Sequence, residues 1–220
     1  MRYRVLVTGG SRGIGKAICD LYLNEGYDVT APGRKEMDLE DMDSVEEFIH
    51  NNRDFDIVIN NAGINDIMNI DELDVRSVRS MITVNLLSPL TLIGGLVPGM
   101  KSRRFGRIVN IGSILGTVSS PGRAVYAATK SGIHGSTKTL SAELAPWNIL
   151  VNTVSPGYTL TDLTIRNNSE EQLNIIRKKI PLGRLAETKE IAEVVFFVGN
   201  EKNTYLTGQE ILVDGGRSVL

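Results

Sequence analysis

The chain has 220 residues, of which 41% are hydrophobic and 23% charged, and this composition excludes a disordered or fibrous protein. Its net charge of -2 gives no electrostatic reason to expect a nucleic acid or an anionic membrane as partner. No apolar run approaches the roughly 18 residues that a membrane-spanning helix needs. The one cysteine, Cys19, cannot form an internal disulfide, which fits a reducing compartment. We therefore expect one domain over residues 1–220, located in the cytoplasm.

Short β-branched runs alternate with longer helical stretches along the chain. The predicted strands are 5–8, 28–31, 57–60, 107–111, 150–155 and 210–213, with a very short one near 37–39. The predicted helices are 15–25, 43–51, 75–96, 126–145, 169–178 and 189–198. Several strands are apolar throughout, as parallel strands buried on both faces are. The pattern predicts an α/β fold with a doubly wound parallel sheet of about seven strands and helices on both faces, which binds its ligands beyond the carboxyl ends of the strands.

A glycine-rich turn follows the first predicted strand and leads into the first helix. It reads T-G-G-S-R-G-I-G over residues 8–15. Glycines let the backbone approach a pyrophosphate closely, and the free N–H groups of a helix start attract its charge. A P-loop is excluded because no G-K-[ST] follows. The residues predicted to bind a dinucleotide here are Gly9, Ser11, Arg12, Gly13, Ile14 and Gly15.

The end of the second predicted strand bears on the choice of cofactor. An acidic residue there would hold the adenosine ribose of NAD, but this sequence has Gly33 followed by Arg34. Arg34 and Arg12 could instead bind the 2′-phosphate of NADP, because guanidinium groups match phosphate geometry. Glu36 leaves the alternative open, since another loop path would bring its carboxylate to the ribose. The sequence favours NADP(H), with NAD(H) as the alternative.

Tyr126 and Lys130 lie four residues apart, on one face of a predicted helix. A free phenol has a pKa of about 10, and a neighbouring ammonium or an oxidised nicotinamide would lower it into the range useful for proton transfer. Ser113 follows the strand 107–111, where its hydroxyl could donate to a substrate carbonyl oxygen. Asn85 lies in an apolar helical run, where an amide is unfavourable unless its polar groups are used. These residues suggest proton transfer to or from a carbonyl compound.

Taken together, these motifs resemble those of the short-chain dehydrogenase/reductase family, and the resemblance covers nearly the whole chain. It implies a Rossmann fold and a catalytic tetrad of Asn85, Ser113, Tyr126 and Lys130. In that family Ser113 would orient the carbonyl and Tyr126 would transfer the proton. Lys130 would lower the pKa of the tyrosine and bind the nicotinamide ribose, and Asn85 would help to hold a water that relays protons.

Other segments resemble the cofactor-binding motifs of the same family. Asn61, Ala62 and Gly63 match the N-N-A-G segment beside the adenosine. The pair Asp38 and Leu39 matches the site that touches adenine. The P-G-x3-T segment would hold the nicotinamide amide, and it supplies Pro156, Gly157, Thr159 and Thr161. The chain departs from the family between Arg34 and Asp38, where it is too short for the usual crossover helix.

The leading functional prediction is reduction of a ketone with NADPH, most like the 3-oxoacyl-thioester reductases. Residues 158–181 form a short substrate-side segment. An apolar lining of Leu115, Tyr158, Leu160 and Leu163 favours a hydrophobic ketone or acyl chain. The alternatives are an NAD(P)-dependent sugar, polyol or other secondary-alcohol dehydrogenase and a catalytically silent nucleotide-binding sensor. Two histidines and one cysteine offer few ligands, so no metal site is predicted. The resemblance also implies a homotetramer or homodimer.

Overall fold

The computed structural model describes residues 2–161, 164–165 and 169–220. Its main sheet has six strands in the order β2-β1-β3-β4-β5-β8, and each neighbouring pair is parallel. The strands are β1 (Arg4–Val7), β2 (Asp28–Thr30), β3 (Ile57–Asn60), β4 (Gly106–Ile111), β5 (Ile149–Pro156) and β8 (Glu210–Val213). A separate two-stranded pair consists of β6 (Thr159–Leu160) and β7 (Ala186–Glu187). The predicted doubly wound parallel sheet is confirmed.

Helices connect the strands. They are α1 (Gly13–Asn24), α2 (Met42–Asn51), α3 (Val75–Ile82), α4 (Ser88–Arg103), α5 (Ala124–Leu144), α6 (Glu170–Lys178) and α7 (Thr188–Gly199). A π-helical turn, Thr83–Leu87, joins α3 to α4. Single 3-10 turns lie at Ile70–Glu72, Ile114–Gly116, Ala145–Trp147 and Arg217–Val219.

The alternating side chains of the strands supply two hydrophobic cores, one on each face of the sheet. Leu6, Val58 and Ile108 point to the face covered by α2 and α4, where they join one cluster. Their neighbours along the strands, Val7 and Ile59 among them, point to the other face and pack against α1 and α7. Because both faces are buried, the carboxyl ends of the strands form the exposed edge at which a ligand can bind.

The continuous helical stretch Val75–Arg103 is 29 residues long, with a mean hydropathy of 1.6, and by length and composition alone it could cross a membrane. Its apolar residues have partners within this fold, since Leu92, Leu96 and Met100 are fully buried in the core beneath α2. Core helices of soluble proteins commonly meet the same two criteria, so the test by itself is weak support for a membrane span.

The prediction of a short strand at 37–39 is wrong. Residues 34–36 form a turn in which the N–H groups of Glu36 and Met37 donate to the carbonyl oxygen of Gly33. Met37 then enters the core and the chain passes directly into α2. Residues 31–41 are described and contain no strand, so β2 is the edge of the main sheet.

Candidate active site

The glycine-rich turn between β1 and α1 needs its glycines both for its backbone conformation and for close packing. Gly9 and Gly13 have φ angles of 67° and 56°, in the left-handed region that favours glycine. A Cβ at Gly15 would lie 2.2 Å from the carbonyl oxygen of Gly9, so only glycine fits. No side chain caps α1 at Arg12, which leaves first-turn N–H groups available to an anion. This geometry suits a pyrophosphate.

The turn is tied to the end of β3. Thr8 Oγ1 accepts hydrogen bonds from the backbone N–H groups of Asn61 and Ala62, both at 3.0 Å. In return Asn61 Nδ2 donates to the carbonyl oxygens of Thr8 and Gly9, at 2.9 and 3.2 Å. These bonds fix the glycine-rich turn beside the N-N-A-G segment, so the structure brings two of the predicted cofactor motifs together.

In the turn after β2, Arg34 is already paired with two carboxylates. Its Nε lies 2.9 Å from Asp38 Oδ2, and its Nη2 also pairs with Glu40. The Glu36 carboxylate accepts a 2.7 Å hydrogen bond from the N–H of Gly33. Gly33 occupies the position at which an acidic residue would hold the adenosine ribose of NAD. A 2′-phosphate would therefore have to share Arg34 with Asp38 and Glu40, and the Asp38 side chain predicted to touch adenine holds this arginine.

The predicted catalytic side chains converge beyond β4. Lys130 is almost completely buried, its Nζ donates a 2.7 Å hydrogen bond to the carbonyl oxygen of Ile111, and it lies 5.7 Å from the centre of the Tyr126 ring. Ser113 Oγ accepts a hydrogen bond from Leu115 N–H at 3.1 Å and also interacts with the Tyr126 phenol. Three of the four predicted catalytic residues thus share one pocket.

The electrostatics of this pocket differ from the expectation that Lys130 lowers the pKa of Tyr126. Burial raises the pKa of the phenol, and the Ser113 hydrogen bond and the Arg123 charge act against that shift. The ammonium of Lys130 is itself penalised by burial, which lowers its pKa to about 8. In this structure its Nζ donates to the backbone oxygen of Ile111, and the ammonium lies 5.7 Å from the centre of the Tyr126 ring.

Asn85 joins the same region through the π-helical turn. Its Oδ1 accepts from Ile64 N–H at 2.9 Å, and its Nδ2 donates to the carbonyl oxygen of Ile64 at 2.8 Å and to Thr129 Oγ1 at 3.3 Å. A Cβ at Gly63 would lie 3.3 Å from Asn85 Oδ1 and 3.5 Å from Lys130 Nζ. The amide is therefore used to hold the N-N-A-G segment against α5. π-Helical turns inside α-helices are frequent at functional sites.

The P-G-x3-T segment returns the chain to the glycine-rich turn. Pro156 ends β5, and a Cβ at Gly157 would lie 2.7 Å from Asp214 Cα. Thr159 is buried and donates to the carbonyl oxygen of Gly157 at 3.1 Å. The methyl carbon of Thr161 would lie 3.5 Å from a Cβ at Gly13. The nicotinamide and pyrophosphate segments therefore border the same cleft.

The substrate side is described only in part. Leu163, which was expected to line it, lies outside the described residues, whereas Leu160 is 38% exposed next to Thr161. Within the described ranges, no group of three or more His, Cys, Asp or Glu side chains is placed to hold a metal ion.

Sequence reasoning missed two polar positions near the catalytic helix. Arg123 ends the loop before α5 and hydrogen-bonds to Asn65 Oδ1, and nothing in the pattern distinguished it from a surface arginine. His134, one turn after Lys130, lies 3.5 Å from the Glu210 carboxylate on β8, which also accepts a 2.6 Å hydrogen bond from Ser155. The i, i+4 spacing of Lys130 and His134 is the sequence feature that could have indicated that His134 lies on the same helix face as Lys130.

Two family models match the sequence. The model described as short chain dehydrogenase matches residues 3–44, and the one described as Enoyl-(Acyl carrier protein) reductase matches residues 35–218. Among curated proteins, the chain is 34% identical to the 3-oxoacyl-[acyl-carrier-protein] reductase FabG of Vibrio cholerae, over 96% of this chain and 95% of the relative. It is 36% identical to FabG of Aquifex aeolicus, with the same coverage of both chains.

Solved structures agree with the sequence comparison. A short chain dehydrogenase/reductase family protein superposes with a TM-score of 0.93 at 31% identity, covering 99% of this chain and 98% of its own. ElxO, solved with NADP, superposes with a TM-score of 0.90 at 28% identity over the full length of both chains. These matches confirm the resemblance drawn from the motifs and the Rossmann fold: the chain belongs to the short-chain dehydrogenase/reductase family of oxidoreductases.

Proposed function

We propose that the protein is an NADP(H)-dependent reductase that converts a ketone into a secondary alcohol, with a 3-oxoacyl thioester as the substrate type. The observation that carries the proposal is the convergence of Ser113, Tyr126 and Lys130 at the carboxyl edge of the sheet, beside the glycine-rich turn. The relatives named 3-oxoacyl-[acyl-carrier-protein] reductase support the thioester, and the NADP bound to ElxO supports the cofactor.

The cleft fits a dinucleotide. The left-handed backbone of Gly9 and Gly13, together with the uncapped start of α1, suits a pyrophosphate held by Gly9, Ser11, Arg12, Gly13, Ile14 and Gly15. Arg34, Asp38, Leu39, Asn61, Ala62 and Gly63 would hold the adenosine end. Tyr126, Lys130, Pro156, Gly157, Thr159 and Thr161 would hold the nicotinamide end. When bound, the reduced nicotinamide supplies a hydride.

Side chains of this protein would supply the proton that the carbonyl oxygen takes up. The Ser113 hydroxyl would donate to the carbonyl oxygen as negative charge develops on it. Tyr126 would then deliver its phenolic proton to the same oxygen, and the burial that raises its pKa keeps that proton in place until reaction. Lys130 would stabilise the resulting phenolate, because its ammonium is buried and close. Asn85 would hold the backbone at Ile64 and support the path that returns a proton to Tyr126.

A spectrophotometric screen tests the proposal. The protein is supplied either with NADPH or NADH and panels of 3-oxoacyl thioesters, sugars and simple ketones, or with NADP⁺ or NAD⁺ and a panel of sugars and polyols, and the change in reduced-nicotinamide absorbance is recorded. We expect the fastest turnover with NADPH and a 3-oxoacyl thioester. Faster oxidation of a sugar or polyol with NAD⁺ would favour the secondary-alcohol dehydrogenase instead. The Glu36 carboxylate, which accepts from Gly33 N–H in the turn after β2, supports keeping NAD(H) as the alternative cofactor. No turnover on any panel would contradict the enzyme proposal and favour the catalytically silent nucleotide-binding sensor.

The proposal treats residues 1–220 as one cofactor-binding and catalytic domain, because both hydrophobic cores lie on the same sheet. We also propose a cytoplasmic homotetramer or homodimer. Apolar side chains on the α3–α4 stretch, Ile82 and Leu87, are 43% and 45% exposed and would be covered in such an assembly. Light scattering at micromolar concentration tests this, and a monomer would contradict it.

A further inference from the structure

Arg123 is an arginine whose position serves no evident purpose in the fold. It is the residue before α5, where a cation opposes the helix dipole, and its side chain does not cap the helix. Its hydrogen-bond partner is the neutral side chain of Asn65. Across the described parts of the chain, no carboxylate lies within 4 Å of its guanidinium.

The same residue is aligned with the catalytic side chains. Arg123, Tyr126 and Lys130 are spaced by three and four residues, so they follow one face of α5. The rise from Arg123 to Tyr126 is about 4.5 Å along the helix axis, well within the reach of an arginine side chain. The positive charge also acts on the phenol, where it favours the ionised form. A group held by Arg123 would therefore lie close to a carbonyl that faces Tyr126.

A cavity of about 480 Å³ opens beside this arginine. Ser113, Tyr126 and Lys130 do not line it, and Arg123 is the lining residue whose charge also acts on the phenol. Met68, Ile70, Pro121 and Ala127 give it apolar walls, while Arg123 and Asp71 supply opposite charges. The cavity falls in the size range of small-molecule sites. The loop that carries Met68 is fixed to the loop before α5, because Met68 N–H donates to the carbonyl oxygen of Gly122 at 3.0 Å. The two loops that form the cavity walls are thus joined by a backbone hydrogen bond, which does not involve the guanidinium of Arg123.

Building on the proposed function, we propose that Arg123 is a substrate-specificity residue that binds an oxyanion of the substrate close to the reacting carbonyl. A guanidinium forms paired, charge-assisted hydrogen bonds with carboxylates and phosphates, and it would exchange the neutral Asn65 for such a partner. The substrate class is an oxo compound with a carboxylate or a phosphate, and the short span along α5 suits a group only a few bonds from the ketone.

Paired substrates test the inference. Acetoacetate is compared with methyl acetoacetate, and acetoacetyl-pantetheine 4′-phosphate with acetoacetyl-N-acetylcysteamine, all with saturating NADPH. Arg123→Gln should lower kcat/KM by about 10- to 100-fold for acetoacetate, and by less than about twofold for methyl acetoacetate and for both thioesters, because the phosphate of the pantetheine arm is many bonds from the ketone. Arg123→Lys should recover much of that loss. Asp71→Asn, which removes the opposite charge from the same cavity, should not lower kcat/KM for the anionic substrate.

Equal losses for acetoacetate and methyl acetoacetate would overturn the inference, because they would indicate a structural role, and so would the absence of any loss. A loss confined to the thioester that carries a phosphate would also overturn it, because it would place the anion far from the reacting carbonyl. Binding of acetoacetate, measured by saturation-transfer NMR, needs no turnover. If the wild-type protein reduces none of these ketones, the proposed function fails, and unchanged binding of acetoacetate in Arg123→Gln would separately reject the anion site.

Discussion

Lys130→Met should stabilise the fold while it removes activity. Below pH 8 the buried Lys130 of the native protein carries its charge at full cost, because burial lowers its pKa from 10.5 to about 8. A shift of this size corresponds to about 3 kcal/mol at neutral pH. Against this, the variant loses the hydrogen bond to the carbonyl oxygen of Ile111, a loss of about 1 kcal/mol. The net gain is about 2 kcal/mol, which raises Tm by roughly 4–8 °C for a chain of this length.

The size of this stabilisation depends on pH in a defined way. Since the native pKa lies below the unfolded one, the unfolded chain binds more protons between pH 8 and 10.5, and the stability of the wild type rises with pH in that window. The advantage of Lys130→Met should therefore be largest at pH 7 and shrink as the pH approaches 10.5.

Thermal unfolding followed by circular dichroism at pH 7 and pH 9.5 measures the difference. Lys138→Met is the matched control, because Lys138 is exposed on the same helix and its removal should give no comparable gain. A Lys130→Met variant less stable than the wild type at pH 7, or a gain that does not diminish at high pH, would refute the reasoning.

Three further changes test the cofactor and substrate ends of the cleft. Gly15→Ala should weaken NADPH binding at least tenfold in a fluorescence titration, because its Cβ would meet Gly9 O at 2.2 Å and displace the turn. The control Asp20→Ala, on the exposed face of α1, should leave the affinity unchanged. A Gly15→Ala variant that binds NADPH as tightly as the wild type would contradict the pyrophosphate site. Ser113→Ala should lower kcat by about 100-fold in steady-state assays, and an unchanged kcat would mean that another group holds the carbonyl oxygen. Arg34→Ala should weaken NADPH much more than NADH by titration; equal loss would place recognition of the 2′-phosphate elsewhere.

Much of the architecture was predictable because parallel strands buried on both faces must be apolar throughout. The runs at 57–60 and 107–111 therefore marked β3 and β4 almost to the residue. The same topology places everything that follows a strand at one edge, so the glycine-rich turn, Asn61 and Ser113 could be assigned to one cleft before any coordinates were considered.

The remaining features depend on contacts that no local pattern encodes. The helix expected over 75–96 contains a π-helical turn at Thr83–Leu87, and its reason is tertiary: the Asn85 amide bonds to the backbone of Ile64. The carboxylates around Arg34 depend on the tight turn after β2. The raised pKa of Tyr126 depends on how deeply the phenol is buried, which spacing along a helix does not reveal.

The most direct test of the central claim is the kcat of Tyr126→Phe beside its affinity for NADPH. The substitution removes only the phenolic oxygen, so the walls of the cleft and the buried Lys130 remain. We predict that kcat falls at least 100-fold while the Kd for NADPH changes by less than about threefold. A phenylalanine variant that keeps wild-type turnover would contradict the assignment of Tyr126 as the proton donor.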